Sequence, residues 1–194
     1  MPTRIIGVSD RLIECAQKEF LDKGYSNASV RSIAAAAHTS TRAIYTRFTD
    51  KKGLFSSIAQ PIYEEFISQL TNYCEEYWSS YQNNPDTVYS NQIYYDVIKY
   101  AYLNLDVTKM ILSCSEVSPY CDFIEKLADI NSNFIFSNVI FANDTSPDYY
   151  FFHMIIRSFY DGLFEPIRHD LKEEDALTYT KHLVDFFEKG LRTT

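Results

Sequence analysis

Apolar residues recur at three- and four-residue intervals along almost the whole chain, and this spacing predicts helices. Leu12, Ile13, Ala16 and Phe20 form one stripe, so a first helix is expected over residues 10–23, stopped by Gly24. Ser29 is suited to cap a second helix in which Val30, Ile33, Ala34 and Ala37 face inward. Small alanines there allow a close helix crossing. After the turn His38-Thr39-Ser40, a third helix is expected over residues 41–48, with Thr39 or Ser40 as its cap. Ile44, Tyr45 and Phe48 lie on its inner side. Asp50 is placed to cap a long fourth helix from Lys51 to about residue 80. Pro61 inside it removes a backbone hydrogen bond and is expected to kink the helix against the Ser57 carbonyl. Whether that kink is a hinge or a static packing feature is open at this level.

Further along, turn chemistry at Asn83-Asn84-Pro85-Asp86, at Ser118-Pro119 and between Asn143 and Asp148 marks later helix starts. The last two helices are expected over residues 147–169 and 173–191. The first of these is apolar around nearly its whole circumference, which requires burial on two sides. The second has Leu177, Thr180, Val184, Phe187 and Leu191 on one side, with Tyr179, Leu183 and Phe186 beside them. Either a partner chain covers the second side, or both helices are internal to a monomer. No hairpin signal of the Asn-Gly or Asp-Gly kind interrupts the pattern. An all-α chain is expected.

Residues 30–48 have the form of two short helices joined by a tight turn, the second polar and basic outward. That form suits entry into a DNA major groove. At 100° per residue, Arg42, Ala43 and Thr46 point outward, Arg47 lies on the flank, and Thr41 sits in the first turn. Arg42 can reach a guanine edge with two parallel hydrogen bonds, and Ala43 or Thr46 can touch a thymine methyl. Arg31, Lys51 and the Tyr45 hydroxyl suit phosphate contacts. The plainer alternative is an ordinary three-helix subdomain with solvated cations.

The net charge of −8 argues against nucleic acid only until it is divided. Residues 1–54 carry nine Lys and Arg against five Asp and Glu, a balance of +4. The remainder carries nine against 21, a balance of −12. Phosphate binding needs a local basic face rather than a basic total. The five glycines are all isolated, so no P-loop or dinucleotide fingerprint is present. No apolar run approaches the length of a membrane span, and residues 1–11 lack the apolar core of a secretion signal. A cytoplasmic protein is therefore expected. Cys15, Cys74, Cys114 and Cys121 form no CxxC pair. Cys114 and Cys121 leave a thiol redox sensor as an alternative mechanism. The four histidines are dispersed. His153 and His169 have acidic or Cys neighbours, but not at a spacing specific for metal, so no metal or cofactor is expected. No catalytic constellation is marked, and an enzyme or small-molecule binding protein is the remaining alternative class.

The N-terminal block resembles the DNA-binding domain of TetR/AcrR-type transcriptional regulators. The matching pieces are Arg11-Leu12-Ile13 with Ala16 and Phe20, Gly24-Tyr25, Ser29-Val30-Arg31-Ser32-Ile33-Ala34, Ser40 with Ile44-Tyr45, and Phe48-x-x-Lys51 with Leu54. The resemblance covers about residues 8–66. It implies an N-terminal three-helix helix-turn-helix domain over residues 6–54 (about 6–66 as a family-type domain). A C-terminal helical ligand-binding and dimerisation domain would follow over 55–194. It also implies a homodimer on a palindromic double-stranded DNA operator, usually a repressor released by a ligand, with DNA contacts on Arg31, Thr41, Arg42, Ala43, Tyr45, Thr46, Arg47 and Lys51. Three positions depart from the pattern: His38 where the turn usually has Gly, Arg42 where a small residue is usual, and Lys52 where an acidic residue is common.

Residues 55–194 hold 27 of the 31 aromatic side chains. A large core accounts for many of them. The resemblance implies that some enclose a pocket for a small lipophilic effector. Candidate lining residues are Phe66, Tyr73, Tyr94, Tyr102, Phe123 and Phe159, with Glu116 or Asp161 as a buried counter-charge. Such a pocket favours a neutral or cationic molecule. The resemblance further implies a four-helix dimer interface from the last two helices of each subunit. Phe152, Ile156, Tyr160, Phe164, Leu183 and Phe187 are the candidate contacts.

Overall fold

The structure is a computed structural model that describes residues 7–84, 86–87, 90–117, 119–140 and 147–192. The first stripe folds as α1 (Val8–Asn27), with Leu12, Ala16 and Phe20 buried and Ile13 half-buried. Asp10 reaches back to the Gly7 N–H at 3.1 Å. At Gly24 the backbone leaves the helix with φ 71° and ψ 168°, a region essentially reserved for glycine. One further turn follows before Ala28 donates to the Gly24 carbonyl at 3.2 Å. The predicted stop is therefore a break within the element rather than its end.

α2 (Val30–Ala36) starts at Ser29, whose hydroxyl accepts from the Ser32 N–H at 3.4 Å. The Ser29 N–H donates to Glu19 of α1 at 3.0 Å, so the cap is tied to the preceding helix. At the other end, His38 N–H donates to the Ala35 carbonyl at 3.1 Å and Thr39 N–H to the Ala34 carbonyl at 2.9 Å. Those two bonds define a Schellman motif, and they place His38 at its left-handed position with φ 51°. α3 (Thr41–Phe48) follows, with Ile44 fully buried. Ser40 precedes it without a side-chain cap bond.

A second strained turn joins α3 to α4 (Lys51–Asn83). Thr49 has φ 68° and ψ −52°, and Asp50 N–H donates across it to the Phe48 carbonyl at 2.8 Å. This is a γ-turn of positive φ, rare for any residue and more so for a β-branched one. Asp50 then caps α4 as expected, accepting from Gly53 N–H at 2.6 Å. The Phe48 carbonyl lies so close that a Cβ on residue 53 would stand 1.8 Å from its oxygen. α4 runs past the expected residue 80 and continues through Pro61, whose ring is exposed.

The remaining elements are α5 (Gln92–Leu103), α6 (Leu105–Leu112), a 3-10 turn (Tyr120–Asp122), and α7 (Phe123–Ile135), which continues as a π turn (Phe136–Ile140). α8 (Pro147–Arg168) and α9 (Glu173–Arg192) complete the chain. No strand occurs among the described residues. Pro85, Ser118 and residues 143–146 of the expected turn signals lie outside the described residues, as do the side chains of Pro147, Asp148 and Leu191.

Two compact units result. The first comprises Met1–Glu64 with Asn104–Cys121, the second Glu65–Leu103 with Asp122–Thr194. The first unit thus extends past residue 54 and takes in α6, which packs on α1. Aromatic rings account for that extension. Phe55 stands 5.1 Å from Phe20, 5.3 Å from Tyr25 and 5.3 Å from Tyr120, and Tyr120 also meets Tyr63 at 5.5 Å. In the second unit α8 packs on α5, α7 and α9. One ring cluster joins Phe66, Tyr100, Phe123 and Phe164, with centroids 5.0–6.0 Å apart. Another joins Tyr94, Phe159 and Tyr160. α8 ends as α2 does: Asp170, at φ 54°, donates to Ile167, and Leu171 donates to Pro166 at 2.9 Å.

The two tight turns around α3 generate a prediction. Gly53→Ala is expected to destabilise the protein by about 1–3 kcal/mol, because backbone rather than a flexible side chain blocks the new methyl. His38→Gly is expected to stabilise it by about 0.5–1 kcal/mol, since the left-handed strain removed exceeds the unfolded-state entropy added. Thermal unfolding of both variants checks the two signs.

Candidate DNA-binding surface

The recognition candidate is α3, and its facing follows from Ile44. Burial of that side chain turns Arg42, Thr46 and Arg47 to solvent, with Arg31 of α2 also exposed. Thr41 and Ala43 are half-buried, within reach of a groove floor only through their outer atoms. Tyr45 departs from the expected inward packing: it is 54% exposed. A 100° step from the buried Ile44 carries it to the edge of the basic face, where its hydroxyl suits a phosphate better than its ring suits the core.

The polar groups are partly organised already. Thr46 Oγ1 donates to the Arg42 carbonyl at 2.8 Å. Arg47 donates through one Nη to the Ala43 carbonyl at 3.4 Å and keeps its other donors. Arg31 and Arg42 have no ion-pair partner among the described residues. Lys51 is held most firmly. Its Nζ donates to the Ser26 carbonyl at 3.0 Å and lies 4.6 Å from the centre of the Tyr25 ring, leaving two N–H donors. The Ser26 hydroxyl in turn donates to Glu116 of the same unit. Neither Ser26 nor Glu116 was marked by the sequence as part of this surface, because 90 residues separate them and no local pattern links them.

The other candidate residues divide. Phe66, Tyr94, Phe123 and Phe159 are buried in the two ring clusters of the second unit. The Tyr73 hydroxyl, pushed up to about 12 chiefly by burial, bonds with the carbonyl and N–H of Ser90. Tyr102 donates to the Leu171 carbonyl at 2.8 Å and, with Lys99, Tyr100, Leu103 and Glu173, lines an open groove of about 630 Å³. The expected buried counter-charge is not found at either position. Glu116 is exposed and belongs to the first unit, and Asp161 is half-exposed and paired with Arg168 at 3.1 Å. Desolvating a carboxylate is costly, and both stay near solvent with polar partners there. Among the fully buried polar side chains is Asn131, whose amide donates to Tyr160 at 3.0 Å and Tyr94 at 3.3 Å. Its carbonyl oxygen has no hydrogen-bond partner among the described residues.

The interface candidates also need correction. Ile156, Tyr160 and Phe164 are buried within their own unit and present nothing to a partner. Phe152, Leu183 and Phe187 are half-buried. The apolar residues that α8 and α9 do expose are Tyr150, Phe151, Met154 and Phe186. All four cysteines are free thiols, Cys114 buried and Cys121 exposed. No helix among the described residues is long and apolar enough to cross a membrane.

Three comparisons bear on this geometry. A search of curated proteins gives no match. Solved structures of similar fold include a TerR/AcrR-family transcriptional regulator from Aquifex aeolicus VF5 (TM-score 0.63, 18% identity, 93% of this chain and 99% of that one). A TetR-like transcriptional regulator from Rhodococcus sp. RHA1 aligns over all of both chains (TM-score 0.60, 13% identity). NalD of Pseudomonas aeruginosa, the secondary repressor of the MexAB-OprM multidrug efflux pump, aligns over 94% of this chain and 96% of its own (TM-score 0.55, 18% identity). At these identities the likeness establishes the fold alone: an all-helical chain with an N-terminal helix-turn-helix. Residues 12–58 match the family described as bacterial regulatory proteins, tetR family.

Glu19 supplies a test of how the helix pair is held. It accepts from Lys23 at 2.8 Å and from the Ser29 N–H. The Lys23 bond, against burial, holds its carboxyl below the ordinary glutamate value. A lowered folded value means stability that is present above the unfolded one and lost as pH falls. Glu19→Gln is therefore expected to cost about 0.5–1 kcal/mol at pH 7. That difference should close as pH falls from about 4.3 downward, as read by urea unfolding across pH.

Proposed function

We propose that the chain is a dimeric repressor that binds a palindromic operator through α3 and is released by a small lipophilic effector. The observation that carries this reading is the outward set on α3: Arg42, Thr46 and Arg47 face solvent while Ile44 locks the helix beneath them. In this reading Arg42 and Thr46 meet base edges, with Thr41 and Ala43 at the groove floor. Arg31, Tyr45, Arg47 and the positioned Lys51 hold phosphates. Lys52 adds charge to the same face. The family match over residues 12–58 supports DNA binding, and the role of NalD as a repressor is consistent with the direction of control.

Dimerisation is assigned to the exposed apolar residues of α8 and α9, Tyr150, Phe151, Met154 and Phe186, flanked by Phe152, Leu183 and Phe187. A two-fold axis there would pair two recognition helices for a symmetric operator. Effector binding is assigned to the aromatic second unit. The unpartnered Asn131 oxygen is an acceptor, so it favours a neutral or cationic molecule that brings an N–H or O–H donor.

Selection from random-sequence DNA is the direct test, and enrichment of a two-fold symmetric motif is the expected result. Arg42→Ala should then cost about 1–3 kcal/mol and relax preference at one base position per half-site. Lys51→Ala should weaken all sequences alike and lower the salt slope by about one. Recovery of no symmetric motif would sink the proposal. Separately, Phe151→Asp with Met154→Asp is expected to yield monomers in light scattering. A dimer that survives both changes would place the interface elsewhere.

A further inference from the structure

Away from the helix-turn-helix face, one group among the described residues brings three metal-ligating side chains together. Glu125 and Asp129 stand on α7 and His153 on α8, with one ligating atom of each within 4.8 Å of the others. The two carboxylates are four residues apart and so share a face of α7. The His153 side chain is only 12% exposed. Its Nδ1 lies 3.0 Å from Ser132 Oγ and 3.9 Å from Asp129 Oδ1, and its Nε2 lies 3.1 Å from Glu125 Oε1.

Ser132 bears on which ring nitrogen carries hydrogen. Its hydroxyl stands closer to the Ala128 carbonyl, at 2.6 Å, than to His153 Nδ1, at 3.0 Å; with its proton on the shorter contact it accepts from Nδ1–H. Nε2 then points a lone pair at a carboxylate oxygen. In that tautomer two acceptors stand 3.1 Å apart, a spacing that a second ring proton or a metal cation between them would satisfy. A ligating imidazole characteristically donates its other N–H to an oxygen, and ligating carboxylates are themselves hydrogen-bonded. Both features are present. Arg157 Nε donates to Glu125 Oε2 at 2.6 Å and leaves Oε1 toward His153. The Tyr149 ring stacks on the imidazole at 6.1 Å, and its hydroxyl is anchored on Asn133 at 2.6 Å. The Nε2–Oε1 separation is close to the edge, about 3.3 Å, of a tetrahedron whose ligands stand about 2.0–2.1 Å from zinc.

We propose that Glu125, Asp129 and His153 form a site for one divalent transition-metal cation, with zinc the best match. The ligands are Glu125 Oε1, an Asp129 carboxylate oxygen and His153 Nε2. One imidazole and two carboxylates suit zinc, whereas calcium requires six or more oxygens and copper(I) requires sulfur. Arg157 opposes the cation's charge, but it and both carboxylates are 42–45% exposed, so solvent screens that repulsion. A cation there would clamp α7 to α8.

The test is calorimetric titration of the untagged, metal-free full chain with zinc chloride. One zinc per chain is expected. His153→Gln and Asp129→Asn should each weaken binding by more than about tenfold, with circular dichroism confirming that both variants fold. Cys121→Ser, which removes the exposed thiol as a rival ligand, should leave binding unchanged. Absence of stoichiometric binding, binding that survives the His153→Gln and Asp129→Asn pair, or binding lost in Cys121→Ser would each overturn the proposal. The group would then be an ion-pair network closed by a second proton on His153.

Discussion

An eight-residue helix does not hold itself together in water, because nucleation consumes more entropy than two turns of hydrogen bonds return. α3 is such a helix, and everything proposed for the DNA-facing surface depends on its being held. The anchor is Ile44. Burying a side chain of that size contributes about 1.5–3 kcal/mol and fixes the helix's rotation about its axis. The two ends are fixed by backbone rather than by caps. His38 takes the left-handed position of a Schellman motif, and Thr49 takes a γ-turn of positive φ under which only glycine fits at residue 53. Strain of this kind costs on the order of 1–3 kcal/mol per residue, and it persists because the surrounding packing overdetermines the turn. The short connections leave α3 little freedom to roll, so its outward side chains keep a constant facing.

Electrostatics builds on that rigidity. Lys51 does not simply extend into solvent: the Ser26 carbonyl and the Tyr25 ring hold its ammonium where two donors remain free. Preorganisation reduces the side-chain entropy lost when a phosphate is bound. The excess of acidic residues lies beyond residue 54, so the chain keeps a negative total while its first helices carry positive charge. The second unit is organised differently, by aromatic clusters around a few satisfied polar groups. Asn131 is the exception: its amide is bonded to two tyrosines while its oxygen is left without a partner.

Much of the fold was legible because helical periodicity is a local property. The stripe Leu12, Ala16 and Phe20, the Ser29 cap, the inward Ile33 and Ala34, and the Asp50 cap all follow from neighbours within four residues. His38 was marked by the resemblance, as standing where the turn usually has Gly, and it takes the left-handed φ that glycine favours. What failed was judgement of which apolar face goes where. Tyr45 was expected inside and lies outside. Ile156, Tyr160 and Phe164 were expected at a partner and are buried at home, while Tyr150, Phe151 and Met154 are left exposed. A helix apolar on every side carries no mark of which side its own unit will cover. Glu116 and Asp161 were wrongly placed in a cavity, since sequence does not show whether a carboxylate has a partner near solvent.

The sequence by itself therefore determined an all-helical chain, its basic first helices, the two short helices and turn of the helix-turn-helix, and the polar outward set of Arg42, Thr46 and Arg47. Each of these rests on spacing, capping or charge within a few residues. The tertiary structure alone decided that α6 joins the first unit, that Ser26 bonds both Lys51 and Glu116, and which side of α8 stays exposed. It alone also brought His153 to Glu125 and Asp129. These contacts link residues tens of positions apart, and such pairs are chosen by the packing of whole helices, to which the local pattern contributes only an apolar face and not its partner.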